Sequence, residues 1–205
     1  MRPLGVTLAV FVIAATATSL PRGSRAQTLD AAEVGHALGD PGAPVTVVEF
    51  GDFACTACGE FWRTTWPRVR KELIETGRVV WRHVPFVLGF PNGEEAANAA
   101  ECAANQEAFW DMHDRLFGGQ SEWMGERRPY EVFRRYAVDI GLDEVDFDAC
   151  YEDGHGKDRT EAANRAAREA GVRATPTFFI NGRTALGALP YEAFRGLVED
   201  AAEMD

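Results

Sequence analysis

The run Val45-Thr46-Val47-Val48-Glu49-Phe50 stops at Gly51, and within five residues the chain places two cysteines at the head of a helical stretch, Cys55-Thr56-Ala57-Cys58. β-Branched residues dominate the run, which marks a buried strand. Two thiols three positions apart can share the first turn of a helix and close a small disulfide ring, and helix N-terminal amides favour a thiolate over a thiol. The arrangement predicts a strand-turn-helix unit carrying a redox pair, with Cys55 as the attacking or attacked sulfur and Cys58 more buried behind it. The same spacing is half of many zinc sites, so it needs a second feature.

That feature is Thr175-Pro176-Thr177, directly before Phe178-Phe179-Ile180 and the turn dipeptide Asn181-Gly182. A proline at the mouth of a strand marks an edge or a special peptide bond. Together, Glu49-Phe50-Gly51-Asp52-Phe53-Ala54-Cys55-Thr56-Ala57-Cys58 and Thr175-Pro176-Thr177-Phe178-Phe179-Ile180-Asn181-Gly182 resemble the signatures of the DsbA-like thiol-disulfide oxidoreductases of the thioredoxin superfamily. Ala99-Ala100-Glu101-Cys102-Ala103 and Phe109-Trp110-Asp111-Met112-His113-Asp114-Arg115-Leu116-Phe117 are similar to that family's helical insertion. The resemblance covers most of the chain after about residue 36.

The pattern along the chain agrees with an α/β class. Val45 to Phe50 reads as a strand, Cys58 to Glu75 as the following helix, and Val79 to Val84 as a second strand ended by Pro85, a right-handed crossover unit. From Asn92 to about Gly171 the periodicity is helical: Ala96, Ala99, Ala100 and Ala103, then Phe109, Met112, Leu116 and Phe117. Helices are expected from Pro129 through Ile140, over Asp146 to Glu152 and over Lys157 to Ala170. Phe178 to Asn181 and Arg183 to Gly187 read as a hairpin about Asn181-Gly182, and Tyr191 to Glu203 as a last helix. This order is the one the resemblance implies, a thioredoxin fold with an all-helical insertion between the second and third core strands. The expected divisions are a thioredoxin-like domain of residues 44–90 and 172–205, a helical insertion over 91–171, and an irregular lead over 27–43.

Arg2, the apolar run Leu4 to Ala17 and Ser24-Arg25-Ala26 have the charged, apolar and small-residue regions of a secretory signal over residues 1–26. The apolar run is shorter than the roughly 20 residues of a membrane-spanning helix, and an uncleaved anchor is the alternative. Either way the domain is expected outside the cytoplasm. Cleavage removes Arg2, Arg22 and Arg25 with no acid, deepening the net charge of −11 to about −14, which argues against nucleic acid as a partner.

Four cysteines in an exported protein imply disulfides, with three possible connectivities. The catalytic reading reserves Cys55 and Cys58 for each other and leaves Cys102 and Cys150 as a structural bridge between insertion helices. The alternative, a metal held by all four, lacks paired spacing at Cys102 and Cys150. No cofactor is expected beyond the redox-active pair.

The resemblance implies further roles. Pro176 is cis in the family and faces the dithiol, and Thr175 offers its backbone to an extended substrate and its hydroxyl to the thiolate. Glu49 matches the position of a buried acid that relays protons to Cys58, although a mid-strand glutamate read from the residues alone is more often exposed. Thr56 and Ala57 depart from the pairs usual in strongly oxidising members, where a histidine adds positive charge, so a milder oxidant is expected. His36, His83, His113 and His155 are scattered in the sequence and read as surface or packing residues; Phe53, Phe61, Trp62 and Trp66 read as core or as a peptide groove. The implied function is an extracytoplasmic oxidase, a monomer, that introduces disulfides into unfolded exported proteins and is reoxidised by a quinone-linked membrane thiol oxidase. A reductase or isomerase of the same fold is the alternative, and residues 27–43 are too short for an isomerase's dimerisation module.

Overall fold

The computed structural model describes residues 34–204, so the expected signal over 1–26 lies outside the described residues. The apolar run forms β2 (Val45–Gly51), buried on both faces at the centre of a five-stranded sheet. The sheet order is β1-β3-β2-β4-β5, with β1 (His36–Leu38), β3 (Val79–Pro85), β4 (Thr177–Ile180) and β5 (Arg183–Leu186). β3 runs parallel to β2, bringing Glu49 beside His83, while β4 runs antiparallel, bringing Glu49 beside Phe178. Strand β1 corrects the expectation of an irregular lead: it pairs antiparallel with β3, His36 opposite His83. Three residues carry too little periodicity to be read as a strand.

The β4–β5 hairpin turns at Asn181 (φ 42°) and Gly182 (φ 82°), the left-handed pair that matches the twist of the flanking strands. The Asn181 side chain accepts a hydrogen bond from Thr46 N–H at 2.8 Å, fixing the hairpin against β2.

The helix expected over 58–75 is broken. α1 (Thr56–Thr64) ends at Thr65, α2 (Trp66–Val69) restarts, and a π-helical turn follows over Arg70–Ile74. Pro67 causes the break, because its ring has no N–H to donate and would clash with the carbonyl four residues back. The Thr65 hydroxyl anchors the bend by donating to Leu189 O at 2.7 Å. Beneath it Phe61, Trp66, Val69 and Leu73 pack against Trp81, Phe178 and Phe194, the last on α9 (Tyr191–Ala202).

Six helices separate β3 from β4: α3 (Gly93–Ala104), α4 (Phe109–Gly118), α5 (Gln120–Trp123), α6 (Pro129–Asp139), α7 (Glu144–Asp153) and α8 (His155–Glu169). α7 begins two residues earlier than the sequence pattern suggests, because the Asp143 carboxylate caps it, accepting from Val145 and Asp146 N–H. Fully buried Ala96, Ala99, Ala100 and Ala103 face the insertion's core, and Met112, Leu116, Phe117 and Phe133 complete it against Phe53 and Cys58. The insertion therefore shares one apolar cluster with the redox turn. α8 closes the opposite face of the sheet, its Ala163 and Ala167 packing with Val48, Phe50 and Val84.

Cys102 on α3 and Cys150 on α7 are joined by a disulfide across 48 residues of chain. In the chain-entropy model a loop of that length contributes about 4 kcal/mol by restricting the unfolded chain. Replacing both cysteines by alanine is expected to lower the unfolding free energy by about that amount in urea titration; a change below about 1 kcal/mol would show that the bridge does not carry the insertion.

Candidate active site

Cys55 is the N-cap of α1, with extended backbone (φ −77°, ψ 122°), and Cys58 lies in the first turn behind it. Both are free thiols, Cys55 6% and Cys58 1% exposed. The turn that presents them is built on Asp52. Its carbonyl accepts from Cys55 N–H at 2.9 Å, and its buried carboxylate accepts from Ala54 N–H at 2.9 Å and Leu88 N–H at 2.8 Å. Burial raises the Asp52 pKa, against the pull of those two amides, and the Cys55 charge adds to the rise. From α5, Gln120 Nε2 donates to Phe53 O at 2.6 Å and Cys55 O at 3.1 Å, clasping the turn to the insertion. Gly59 makes room for that clasp, since a Cβ there would stand 2.0 Å from Gln120 Oε1. Sequence reading passed over Asp52, Gln120 and Gly59; nothing in their local pattern distinguishes them.

The Thr175-Pro176 bond is cis and places Thr175 against the dithiol, where Cys55 Sγ donates to Thr175 O at 3.4 Å. The Cys55 pKa falls from 9.0 to about 5. The Cys58 thiol is the main cause, donating to the Cys55 thiolate; burial opposes it, and Thr175 with the Cys58 and Ala57 amides assists. The buried Thr175 hydroxyl has no partner while Cys55 is a thiol and is available once the sulfur ionises. Cys58 moves the other way, well above 9.0, through burial first, then its bond to Cys55 and the negative charges of Glu49 and Cys55. One thiolate and one thiol result, the division disulfide exchange requires.

Glu49 is buried (4% exposed) beneath the pair. Its Oε2 accepts from Trp81 Nε1 at 3.3 Å and bonds His83 Nδ1 at 3.0 Å. Burial alone would raise its pKa; the charge and hydrogen bond of His83, with His113 and Trp81, outweigh that and lower it. Gly51, the last residue of β2, leaves room for the His83 ring, since a Cβ there would meet His83 Cε1 at 2.6 Å. His83 and His113 therefore correct the reading of scattered histidines: with Glu49 their polar atoms lie within 4.8 Å of one another, all three buried. Within this group Glu49 bonds His83, and His113 bonds Asp114 on its own helix. The signal was present for His113, which stands on the same helical face as Phe109, Met112, Leu116 and Phe117, a place where a polar ring must be hydrogen-bonded.

The remaining candidates separate. Phe53, Phe61 and Trp66 are core, and Trp62 is half-buried with its Nε1 donating to Asp114 at 3.0 Å. His36 stacks on Phe109 and bonds Glu101 at 2.9 Å; His155 opens α8. Cys102 and Cys150 are bonded to each other and are not free to join Cys55 and Cys58 as ligands. Among the described residues, no helix is long and apolar enough to cross a membrane.

A thioredoxin family profile matches residues 31–200. A segment of the Na(+)/H(+) antiporter NhaA 3 of Salinispora tropica is 37% identical over 213 residues, covering 97% of this chain and 31% of that protein. NhaA 1 of Salinispora arenicola is 36% identical with the same coverage, so the chain spans about a third of the length of these curated relatives. Oxidised BdbD from Bacillus subtilis has a similar fold, with a TM-score of 0.77 at 24% identity over 83% of this chain and 94% of that one. Wolbachia pipientis α-DsbA1 follows with a TM-score of 0.74 at 24% identity over 82% and 91%.

Since the folded pKa of Cys55 lies below its value in the unfolded chain, the thiolate's contribution to the reduced protein is absent below about pH 5, grows from there and is complete above about 9. Thr175→Val removes one donor to that thiolate and is expected to raise the Cys55 pKa by about one unit. The pH dependence of Cys55 alkylation reads this directly, and an unchanged midpoint would remove the hydroxyl from the account.

Proposed function

The chain belongs to the thioredoxin family, and from that premise we propose that it is a protein thiol-disulfide oxidoreductase acting as an oxidase outside the cytoplasm, transferring the Cys55–Cys58 disulfide to unfolded exported proteins. A substrate thiolate attacks Cys55 Sγ, the Cys55–Cys58 bond breaks, and Cys58 leaves as a thiolate that takes up a proton. A second substrate thiolate then attacks the substrate sulfur of the mixed disulfide and Cys55 leaves as a stable thiolate. Two electrons have passed from substrate to enzyme, and the substrate holds the disulfide. The proposal has the Thr175 backbone pair with an extended substrate strand, a reading supported by its carbonyl lying 3.4 Å from Cys55 Sγ.

The observation that carries this reading is the placement of Cys55 at the head of α1, its Sγ 3.4 Å from Thr175 O with Cys58 buried behind it, surroundings that lower its pKa to about 5. A stable thiolate is a good leaving group and favours the reduced enzyme, making the disulfide oxidising. Thr56 and Ala57 supply no positive charge to stabilise the thiolate further. The proposed oxidant is therefore intermediate in strength, acts as a monomer and is returned to its disulfide by a quinone-linked membrane thiol oxidase.

Equilibration of the Cys55–Cys58 pair with glutathione is expected to give a potential between about −270 mV and about −120 mV. A value at or below the thioredoxin end would make the protein a reductase and require an electron donor instead of a reoxidant.

A further inference from the structure

Exchange at Cys55 leaves a chemical problem at Cys58. Each time the pair is reduced Cys58 must gain a proton, and each time it is reoxidised or resolves a mixed disulfide it must lose one, although it is 1% exposed. The partner for that proton has to be within the protein. A cavity of about 10 Å³ lies beside Cys58, lined by Glu49 and His113 together with Phe61, Trp62, Trp66 and Phe117. That volume admits about one water molecule, and among the described residues the groups in its wall able to take a proton from Cys58 are Glu49 and His113.

Two properties separate them. Glu49 is already engaged through Oε2, accepting from Trp81 Nε1 at 3.3 Å and bonding His83 Nδ1 at 3.0 Å, so its carboxylate is committed to the sheet side of the cavity. His113 has Nδ1 bonded to Asp114 Oδ1 at 3.0 Å, which makes Nδ1 the protonated nitrogen facing a carboxylate and leaves Nε2 with its lone pair free. Asp114 is fixed in turn by Trp62 Nε1 at 3.0 Å and Arg70 Nη1 at 2.9 Å, and its side chain is 32% exposed. We infer that His113 is the proton relay of Cys58 and that Asp114 is its positioning residue, linking the buried thiol to solvent by a carboxylate-imidazole pair that does not run through Glu49.

This inference rests on the proposed exchange at Cys55–Cys58. In the resolving direction His113 Nε2 takes the Cys58 proton across the cavity that both line; the Cys58 thiolate attacks Cys55 Sγ, the Cys55-to-substrate bond breaks, and the substrate leaves as a thiolate. The imidazolium is stabilised by Asp114 and equilibrates with solvent on that side. In the opposite direction the imidazolium protonates Cys58 as it leaves Cys55. Burial lowers the His113 pKa below 6.5, against the hydrogen bond and charge of Asp114, so the ring is neutral and ready to accept at neutral pH. The charged and titratable groups around it are Asp114 on its own helix, Glu49 on β2, His83 on β3 and Cys58 on α1, with Arg70 behind Asp114.

The test uses the reduced full chain and an aromatic disulfide that releases a coloured thiolate. The first equivalent reports attack by Cys55, and the second reports attack of Cys58 on the resulting mixed disulfide. In His113→Gln the first phase is expected to keep its rate and pH midpoint, while the second slows by about 100-fold, the usual worth of a positioned general base, and loses its inflection below 6.5. In Asp114→Asn the imidazolium loses its carboxylate, so the second phase slows less and its inflection moves to lower pH. If His113→Gln does not give the native circular dichroism spectrum, the Asp114→Asn profile decides. A second phase with unchanged rate and pH profile overturns the relay. Failure of both phases in the unaltered protein instead overturns the exchange reading itself.

Discussion

A thiolate at the head of α1 is the charge around which the rest of the molecule is arranged. As a thiolate Cys55 is stabilised by amides of its own helix, by Cys58 and by the Thr175 hydroxyl, 120 residues away in the chain, whose backbone carbonyl accepts from the Cys55 thiol. None of them carries a full positive charge. The stabilisation is a sum of neutral donors, consistent with a pKa of about 5 where a neighbouring cation would take it lower.

That arrangement needs a rigid floor, which β2 supplies. Its residues are buried between β3 and β4, and its end delivers Glu49, Gly51 and Asp52 in succession to the network under Cys58, the space for His83, and the turn that presents Cys55. The helical insertion adds Gln120, His113 and Asp114 to the same place, so it completes the site as well as covering it. Pinning α3 to α7 by Cys102–Cys150 stiffens the body that carries these side chains.

How much of this the sequence discloses depends on how local each signal is. The Cys55/Cys58 pair, the strand before it, the Asn181-Gly182 hairpin and the alanine-rich face of α3 are patterns within a few residues, and each lies where it reads. The break at Thr65 was legible in principle, since Pro67 stands inside the helical run, but the run's apolar spacing continues through it. Strand β1 was too short to register. The convergence of Glu49, His83 and His113 is different in kind. It depends on the parallel register of β2 and β3 and on how α4 docks, which no spacing in the chain encodes. Asp52, Gln120 and Gly59 were missed likewise, because a polar side chain's value as a clasp appears only with its distant partner.

The central claim is that the fold divides two chemically identical thiols into a thiolate and a thiol. The most direct measurement is a pH titration of the Cys55 and Cys58 Cβ resonances in the reduced protein, labelled at cysteine. The account predicts a Cys55 midpoint near 5 and no titration of Cys58 below 9. Two midpoints close to the ordinary cysteine value of about 8.5 would contradict it.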